Sequence, residues 1–397
     1  MADALRHYAK GPLKAFYASR DYKPLWLKGG KIGPSADRFL SYASHADLDG
    51  MKASAYDLDR VGAAMQEAQT GTPEALARAD LALSDSFARF VRDQRRPVNV
   101  GMLYADKRLR PRKLKPEAIL RAAALSGPFP TYVENMAWMS PHYVRLRNLL
   151  ARSEKGGASE AALDRLRLNL DRARNLPGPW TMHVLVDASS ARLWYYQGGK
   201  QLGVMKVVVG AQETQTPMMA GTLQWAILNP YWNIPDYLAE KSIAPKILSG
   251  RTLASMRIEA LSDWSANPER LDPAMIDWQA VASGKQIVRL RELPGASNSM
   301  GKVKFLFPND EGIYLHDTPN RDLLNKVDRH LSNGCIRLED APELGRWLLR
   351  KSIATASKTP EQYTPLPVQV PVYLTYLTAT ETAKGMAFRP DIYGRDK

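Results

Sequence analysis

Apolar residues in the first part of the chain recur at helical spacing. Thr72-Pro73-Glu74 reads as an N-cap followed by proline at the first helical position, where its missing N–H costs nothing. Leu76, Leu83, Phe87, Phe90 and Val91 then return to one face until Arg96-Pro97 stops the run. Leu163, Leu166 and Leu170, behind Ser159-Glu160, predict another amphipathic helix. Both stripes are read as core packing. The rings of Phe16, Tyr17, Tyr22 and Trp26 are read as pins for the N-terminal segment in preference to a carbohydrate or partner surface. At Asn175-Leu176-Pro177-Gly178-Pro179, two prolines and a glycine end the helical pattern and mark the best domain boundary.

Beyond that break the apolar period falls to two. Segments 183–186, 192–196 and 204–209 are rich in β-branched and aromatic residues, with Gly198-Gly199 as a hairpin turn between the second and third. Segments 222–228, 303–307, 314–316 and 368–376 extend the count, which predicts a mostly antiparallel sheet or sandwich. Between Pro235 and Leu293 the strand signal gives way to a helix-like run at 237–241 and a polar stretch bearing tryptophans. The expected fold class is therefore α+β and multidomain: a helical domain over 1–177, then a mostly β domain over 178–397.

Composition narrows the partners. With 397 residues and 45% hydrophobic content there is ample material for a core. Lys and Arg outnumber Asp and Glu by 55 to 41, a net charge of +14, which suits nucleic acid, an anionic membrane or a carboxylate-bearing cell wall. The charge is spread over many segments with no nucleic-acid reading motif, so it is read as solvated helix surface and no nucleic-acid partner is expected. No run of about 18 apolar residues occurs, so no transmembrane segment is expected. The start, Met1 to Arg6, lacks the apolar centre of a secretory signal. His7, His45, His142 and His183 have no metal-ligand spacing, and no metal is expected.

Candidate chemistry concentrates at 313–338, which holds Cys335, the single cysteine of the chain. A lone cysteine forms no internal disulfide and no CxxC metal site, leaving a buried apolar thiol or a nucleophile. A thiol attacks as the thiolate, and a free pKa near 8.5 leaves little of it at neutral pH; an imidazole in reach corrects this by taking the proton into an ion pair. Alternation along 312–316 puts Tyr314 and His316 on one face, from which His316 could face the cysteine loop. Gly334, lacking Cβ, permits a tight turn that aims backbone N–H groups at one point, where they could hold an oxyanion.

Leu315-His316-Asp317-Thr318-Pro319 followed by Ser332-Asn333-Gly334-Cys335-Ile336-Arg337 resembles the catalytic motif of the YkuD-type L,D-transpeptidases, with a His-to-Cys spacing close to that of the YcbB-like branch. Val208-Val209-Gly210 with Thr216-Pro217, then Asn229 to Pro235 and Gly301 to Phe305 resemble further landmarks of that domain, in the right order. The N-terminal aromatic segment resembles the start of the branch's helical scaffold domain. The resemblance implies Cys335 as nucleophile, His316 as general base and the Asp317 carbonyl, rather than its carboxylate, as the group orienting the imidazole. Gly334 would help to hold the oxyanion. It also implies a capping subdomain at 236–292, peptidoglycan stem peptides as substrate, inhibition by carbapenems, no cofactor, and export to the periplasm. The chain is accordingly read as a mature or trimmed form.

Around the reactive pair, Tyr314, Ser332, Asn333, Arg337 and Trp232 are expected to line the substrate site. Arg337 is suited either to a substrate carboxylate or to a structural ion pair. Asn333 stands where many family members have a second histidine, and His330 is read as a solvated loop residue. The implied reaction transfers an acyl group from a tetrapeptide stem to a diaminopimelate amine, expelling D-alanine and forming a 3-3 cross-link. Water, a D-amino acid or an envelope protein are alternative acceptors, and a non-catalytic peptidoglycan-binding scaffold is the alternative from another class. A papain-like signature is absent from the sequence.

Overall fold

The structure is a computed structural model that describes residues 1–265, 267–353 and 359–397. It separates into two compact units, one made of Met1–Val204, Pro217–Ala220 and Pro371–Lys397, the other of Met205–Thr216 and Gly221–Val370. The expected α+β arrangement is present, with helices through the N-terminal part and mostly strands after it.

In the first unit the helix Pro73–Gln94 is the axis. Thr72 Oγ1 accepts from Ala75 N at 3.4 Å, the predicted cap, and Leu83, Phe87, Phe90 and Val91 are fully buried. Phe87 meets Trp26, Phe39 and Trp138 edge-on at centroid distances of 5.6, 5.5 and 5.1 Å. Burying each such ring contributes about 1.5–3 kcal/mol. Phe16, Tyr17 and Trp26 do act as pins. The Tyr17 hydroxyl hydrogen-bonds Asp80 and, at 2.7 Å, Ser84, and the same Asp80 carboxylate accepts from the backbone N–H groups of Leu25 and Trp26 at 3.0 and 2.8 Å. Tyr22 is only half-buried. A second buried anion, Asp49, takes both Nε contacts of Arg147 at 2.9 Å and the Tyr143 hydroxyl at 2.5 Å.

The helix Glu160–Arg174 ends where the Pro-Gly break was expected. The break itself is packed. Leu176 is fully buried, Asn175 Nδ2 donates to Val98 O at 2.8 Å, and a Cβ on Gly178 would fall 2.6 Å from Ala137 O. The unit continues through the hairpin of His183–Asp187 and Arg192–Gln197, and residues 372–375 add to the first of these strands in parallel.

In the second unit Val303–Leu306 pairs antiparallel with residues 225–228 and with Leu315–His316. Leu315–His316 in turn pairs parallel with Ile336–Leu338, which pairs antiparallel with residues 207–208. The sequence predicted mostly antiparallel pairing; the histidine and cysteine segments nevertheless meet on a parallel pair, because the connection between them is long enough to return the chain in the same direction. The expected cap at 236–292 forms small strands, but its sheet begins earlier, at Trp232. Arg270–Leu271, Ile258–Leu261, Arg289–Glu292 and Trp232–Ile234 make a four-stranded antiparallel sheet over a separate core that includes Ile234, Ile258, Trp278 and Leu290. The helix-like run at 237–241 is one α-turn, Asp236–Leu238, running into a π-helical turn, Ala239–Ile243. Residue 266 of that segment, and 354–358 of the expected β domain, lie outside the described residues. Among the described residues no helix is long and apolar enough to cross a membrane.

Candidate active site

The parallel pair fixes which side chains share a face. Leu315 stands beside Ile336 and His316 beside Arg337, and Ile336 N donates to Tyr314 O at 3.0 Å, which sets Cys335 next to Tyr314. Neighbours across a parallel pair point the same way and successive residues alternate. Tyr314, His316, Cys335 and Arg337 therefore project from one face, and the Tyr314 and His316 rings lie 5.7 Å apart.

The imidazole is locked. His316 is 2% exposed, and its Nδ1 lies 2.6 Å from the Asp317 carbonyl oxygen. A carbonyl can only accept, so Nδ1 carries the proton and the Nε2 lone pair is left to accept one. Burial, with help from the Arg337 and Lys304 charges, pushes the imidazole pKa down to about 3. Asp317 is held in turn. Its carboxylate accepts from Lys302 N at 2.9 Å and from the Arg321 guanidinium at 2.8 Å, and its backbone N–H donates to Val303 O at 2.9 Å. Gly301 leaves room for it: at φ +60° a Cβ there would lie 2.4 Å from Asp317 Oδ2.

Cys335 is half-buried, and its Sγ–H points to the Gly312 carbonyl at 3.5 Å. Burial pushes the thiol pKa up to about 11, against the Tyr314 backbone N–H, the Tyr314 hydroxyl and the Arg337 charge, which favour the thiolate. Burial also raises the Tyr314 hydroxyl, so it stays protonated and can donate. The thiol goes up and the imidazole goes down, so the pair rests neutral. This departs from the ion pair expected from the sequence, because both groups are desolvated on a face with a second cation beside them.

The cysteine turn is braced from 210–216. The Ser332 carbonyl accepts from Ala211 N at 2.8 Å and Thr214 Oγ1 at 2.9 Å. Thr216 Oγ1 donates to the Gly334 carbonyl at 2.7 Å. Ser332 Oγ closes the turn, donating to Cys335 O at 2.6 Å and accepting from Gly334 N at 3.2 Å. Gly334 adopts φ +105°, a conformation that favours glycine. With the Gly334 N–H engaged, the N–H groups of Asn333 and Cys335 are left in this turn without a described acceptor.

Residues 181–370 match the family model for the L,D-transpeptidase catalytic domain, YkuD, and residues 11–150 match the Scaffold domain model. The chain thus carries a YkuD L,D-transpeptidase catalytic domain preceded by a Scaffold domain. A Haemophilus influenzae protein named provisionally as an L,D-transpeptidase is 29% identical over 396 residues, covering 97% of this chain and 78% of its own length. Solved structures give slighter matches. The Ldtfm–avibactam carbamoyl enzyme and an L,D-transpeptidase from Mycobacterium smegmatis each align at 14% identity and a TM-score of 0.24. They cover 49% of this chain and 48% and 58% of their own, a likeness too slight to support an inference.

Within this YkuD domain the structure brings together Tyr314, His316, Asp317, Ser332, Gly334, Cys335 and Arg337. Asn333 is exposed on the same turn. Trp232 is not joined to them by any described contact; it packs against the core of the small four-stranded sheet. His330 is corrected: it is 9% exposed, with Nδ1 2.6 Å from Asp328 Oδ1, because its strand pairs with residues 209–210. Arg337 has no ion-pair partner among the described residues, and its Nε is buried without one; burial pushes its pKa down. Sequence reasoning took Gly301 and Thr216 only as landmarks and gave Arg321 and Thr214 no role; the contacts of Gly301, Thr214 and Thr216 with the site are long-range, whereas Arg321 reaches Asp317 from four residues on. The same reasoning missed Tyr237, whose hydroxyl pKa is raised by burial and further by the charge of a Cys335 thiolate.

Proposed function

We propose that the chain is a peptidoglycan L,D-transpeptidase whose nucleophile is Cys335. The observation that carries the reading is the shared face of Tyr314, His316, Cys335 and Arg337, with the His316 tautomer set by the Asp317 carbonyl. In the resting state the thiol holds its proton. As Sγ attacks the carbonyl of the diaminopimelate residue before a terminal D-alanine, His316 Nε2 takes that proton, and the Cys335 N–H, with Gly334 shaping the turn, stabilises the oxyanion. The C–N bond then breaks. His316 returns the proton to the departing D-alanine amine, leaving a thioester on Cys335. The side-chain amine of a second diaminopimelate attacks the thioester, loses a proton to His316 and restores the thiol, forming a 3-3 cross-link.

Arg337 is suited to a stem-peptide carboxylate, which its missing protein partner supports. Ser332, Asn333 and Tyr237 border the approach, and the small four-stranded sheet of 232–292 acts as a cap that shields the thioester from water. The substrate puts the reaction in the periplasm. A carbapenem would acylate the same thiol by opening its lactam ring, and water, a D-amino acid or a protein amine would change only the second step. Intact-mass measurement after incubation with a carbapenem tests the reading. The parent should gain one adduct and Cys335→Ala none, while His316→Ala should acylate far more slowly. A parent that gains no adduct and releases no D-alanine from tetrapeptide muropeptides would end the enzyme reading; an adduct surviving Cys335→Ala would mean a different nucleophile.

A further inference from the structure

In the first unit a cavity of about 550 Å3 lies between the helices Phe129–Glu134 and Pro141–Lys155 and the hairpin that follows Pro179. One wall is the indole of Trp180, 37% exposed. The ring occupies space that two glycines vacate: a Cβ on Gly127 or Gly199 would lie 2.8 or 2.7 Å from it. Tyr196, 2% exposed, also lines the cavity. Around the rings stand the side-chain amides of Asn135, Asn148 and Gln201, none with a hydrogen-bond partner among the described residues. Arg145 completes the lining.

The charges are specific. Arg152 is paired with Glu381 at 2.7 Å, whereas Arg145 faces no carboxylate among the described residues and donates to His142 Nδ1 at 2.9 Å. Burial pushes His142 down to about 3, so it is neutral. A guanidinium can only donate, so Nδ1 accepts and Nε2 carries the proton, 3.3 Å from the Tyr196 hydroxyl oxygen. That oxygen accepts, and its own hydrogen is left for a further partner.

We propose that this cavity binds a pyranose of an N-acetylated, carboxylate-bearing glycan. A sugar ring has an apolar C–H face and a rim of groups that both donate and accept. The indole suits the face. Amide side chains supply donor and acceptor together, as hydroxyl and acetamido groups require. An apolar ligand would leave the three amides without partners, and a phosphate would find a single unpaired cation. The unpaired Arg145 matches one carboxylate. The proposal does not rest on the thiol chemistry, but for a wall-acting enzyme it supplies a hold on the glycan strand separate from the peptide site.

The full-length Cys335→Ala protein tests it, because no acyl transfer can then confuse the readout. Calorimetric titration uses two probes, N,N′,N″-triacetylchitotriose, which is neutral, and the N-acetylglucosamine–N-acetylmuramic acid disaccharide, which carries a carboxylate. Both should bind saturably, the acidic sugar roughly threefold to tenfold more tightly, and Arg145→Met should remove that preference. Trp180→Ala and Asn148→Leu should each weaken binding roughly tenfold or more. Asn148 is exposed, so its variant folds independently of the indole's packing, and circular dichroism checks both. No saturable binding of either sugar, or undiminished binding in both variants, would overturn the proposal. Equal affinity for the two sugars would overturn the part given to Arg145.

Discussion

Iodoacetamide consumes the thiolate of Cys335, so its rate against pH reads how much thiolate the folded protein allows. With the thiol at about 11, about one molecule in 10⁴ is ionised at pH 7, against roughly 3 in 100 for a free cysteine of pKa 8.5. A more basic thiolate is intrinsically more reactive, by about tenfold over that difference. The net expectation is alkylation about 20–30-fold slower than free cysteine at pH 7, its logarithm rising with unit slope through pH 9. Tyr314→Phe sharpens the test, since it removes the hydroxyl that favours the thiolate. A hydrogen bond to a charged group is worth about 1.5–3 kcal/mol, so the variant should raise the thiol by about one unit or more and slow alkylation at pH 9 severalfold. Intact mass counts the adducts. A rate that is already level between pH 6 and 8 would mean a standing thiolate–imidazolium pair, and the neutral resting site would be wrong.

Three further outcomes are expected. Gly301→Ala, which touches no reacting atom, would force the Asp317 carboxylate off Lys302 N–H and Arg321; we expect about 2–4 kcal/mol lost from stability or from the acylation barrier, read by melting and by carbapenem acylation, and an unchanged rate and melting point would refute the cradle. Asp49→Ala leaves Arg147 buried without its anion, a loss of about 3–5 kcal/mol in denaturant unfolding; a loss under 1 kcal/mol would refute it. Buried His142, His183 and His316 have pKa values depressed to about 3, 4 and 3, so their stabilisation is complete above the unfolded value near 6.5 and drains as pH falls towards the folded ones. Buried Asp80, Asp187 and Glu292, with raised pKa values, act in the opposite sense, so the comparison is differential: between pH 6.5 and 5 the parent should lose more stability than His183→Phe, by about 1.4 kcal/mol per pH unit at most. Parallel curves would refute it.

The sequence by itself determined the local features. A helix such as Pro73–Gln94 is written in neighbouring residues, as cap, period and stop, and so is the break after Arg174. The candidate reactive pair was legible for a similar reason: Cys335 is the single cysteine of the chain, and it and His316 sit with their flanking residues in a short motif. Alternation also put Tyr314 and His316 on one face without any partner strand. What only the tertiary structure decided depends on groups distant in sequence. Strand direction is one case, since Leu315–His316 and Ile336–Leu338 carry no mark of parallel pairing, and that pairing sets Arg337 beside His316. The support is another: Gly301, Thr214 and Thr216 lie far along the chain from the groups they serve, and act because folding brings them against Asp317 and the cysteine turn. Protonation is the third. A motif names a thiol and an imidazole, but their charge follows from water removed by surrounding atoms, and that burial leaves both neutral.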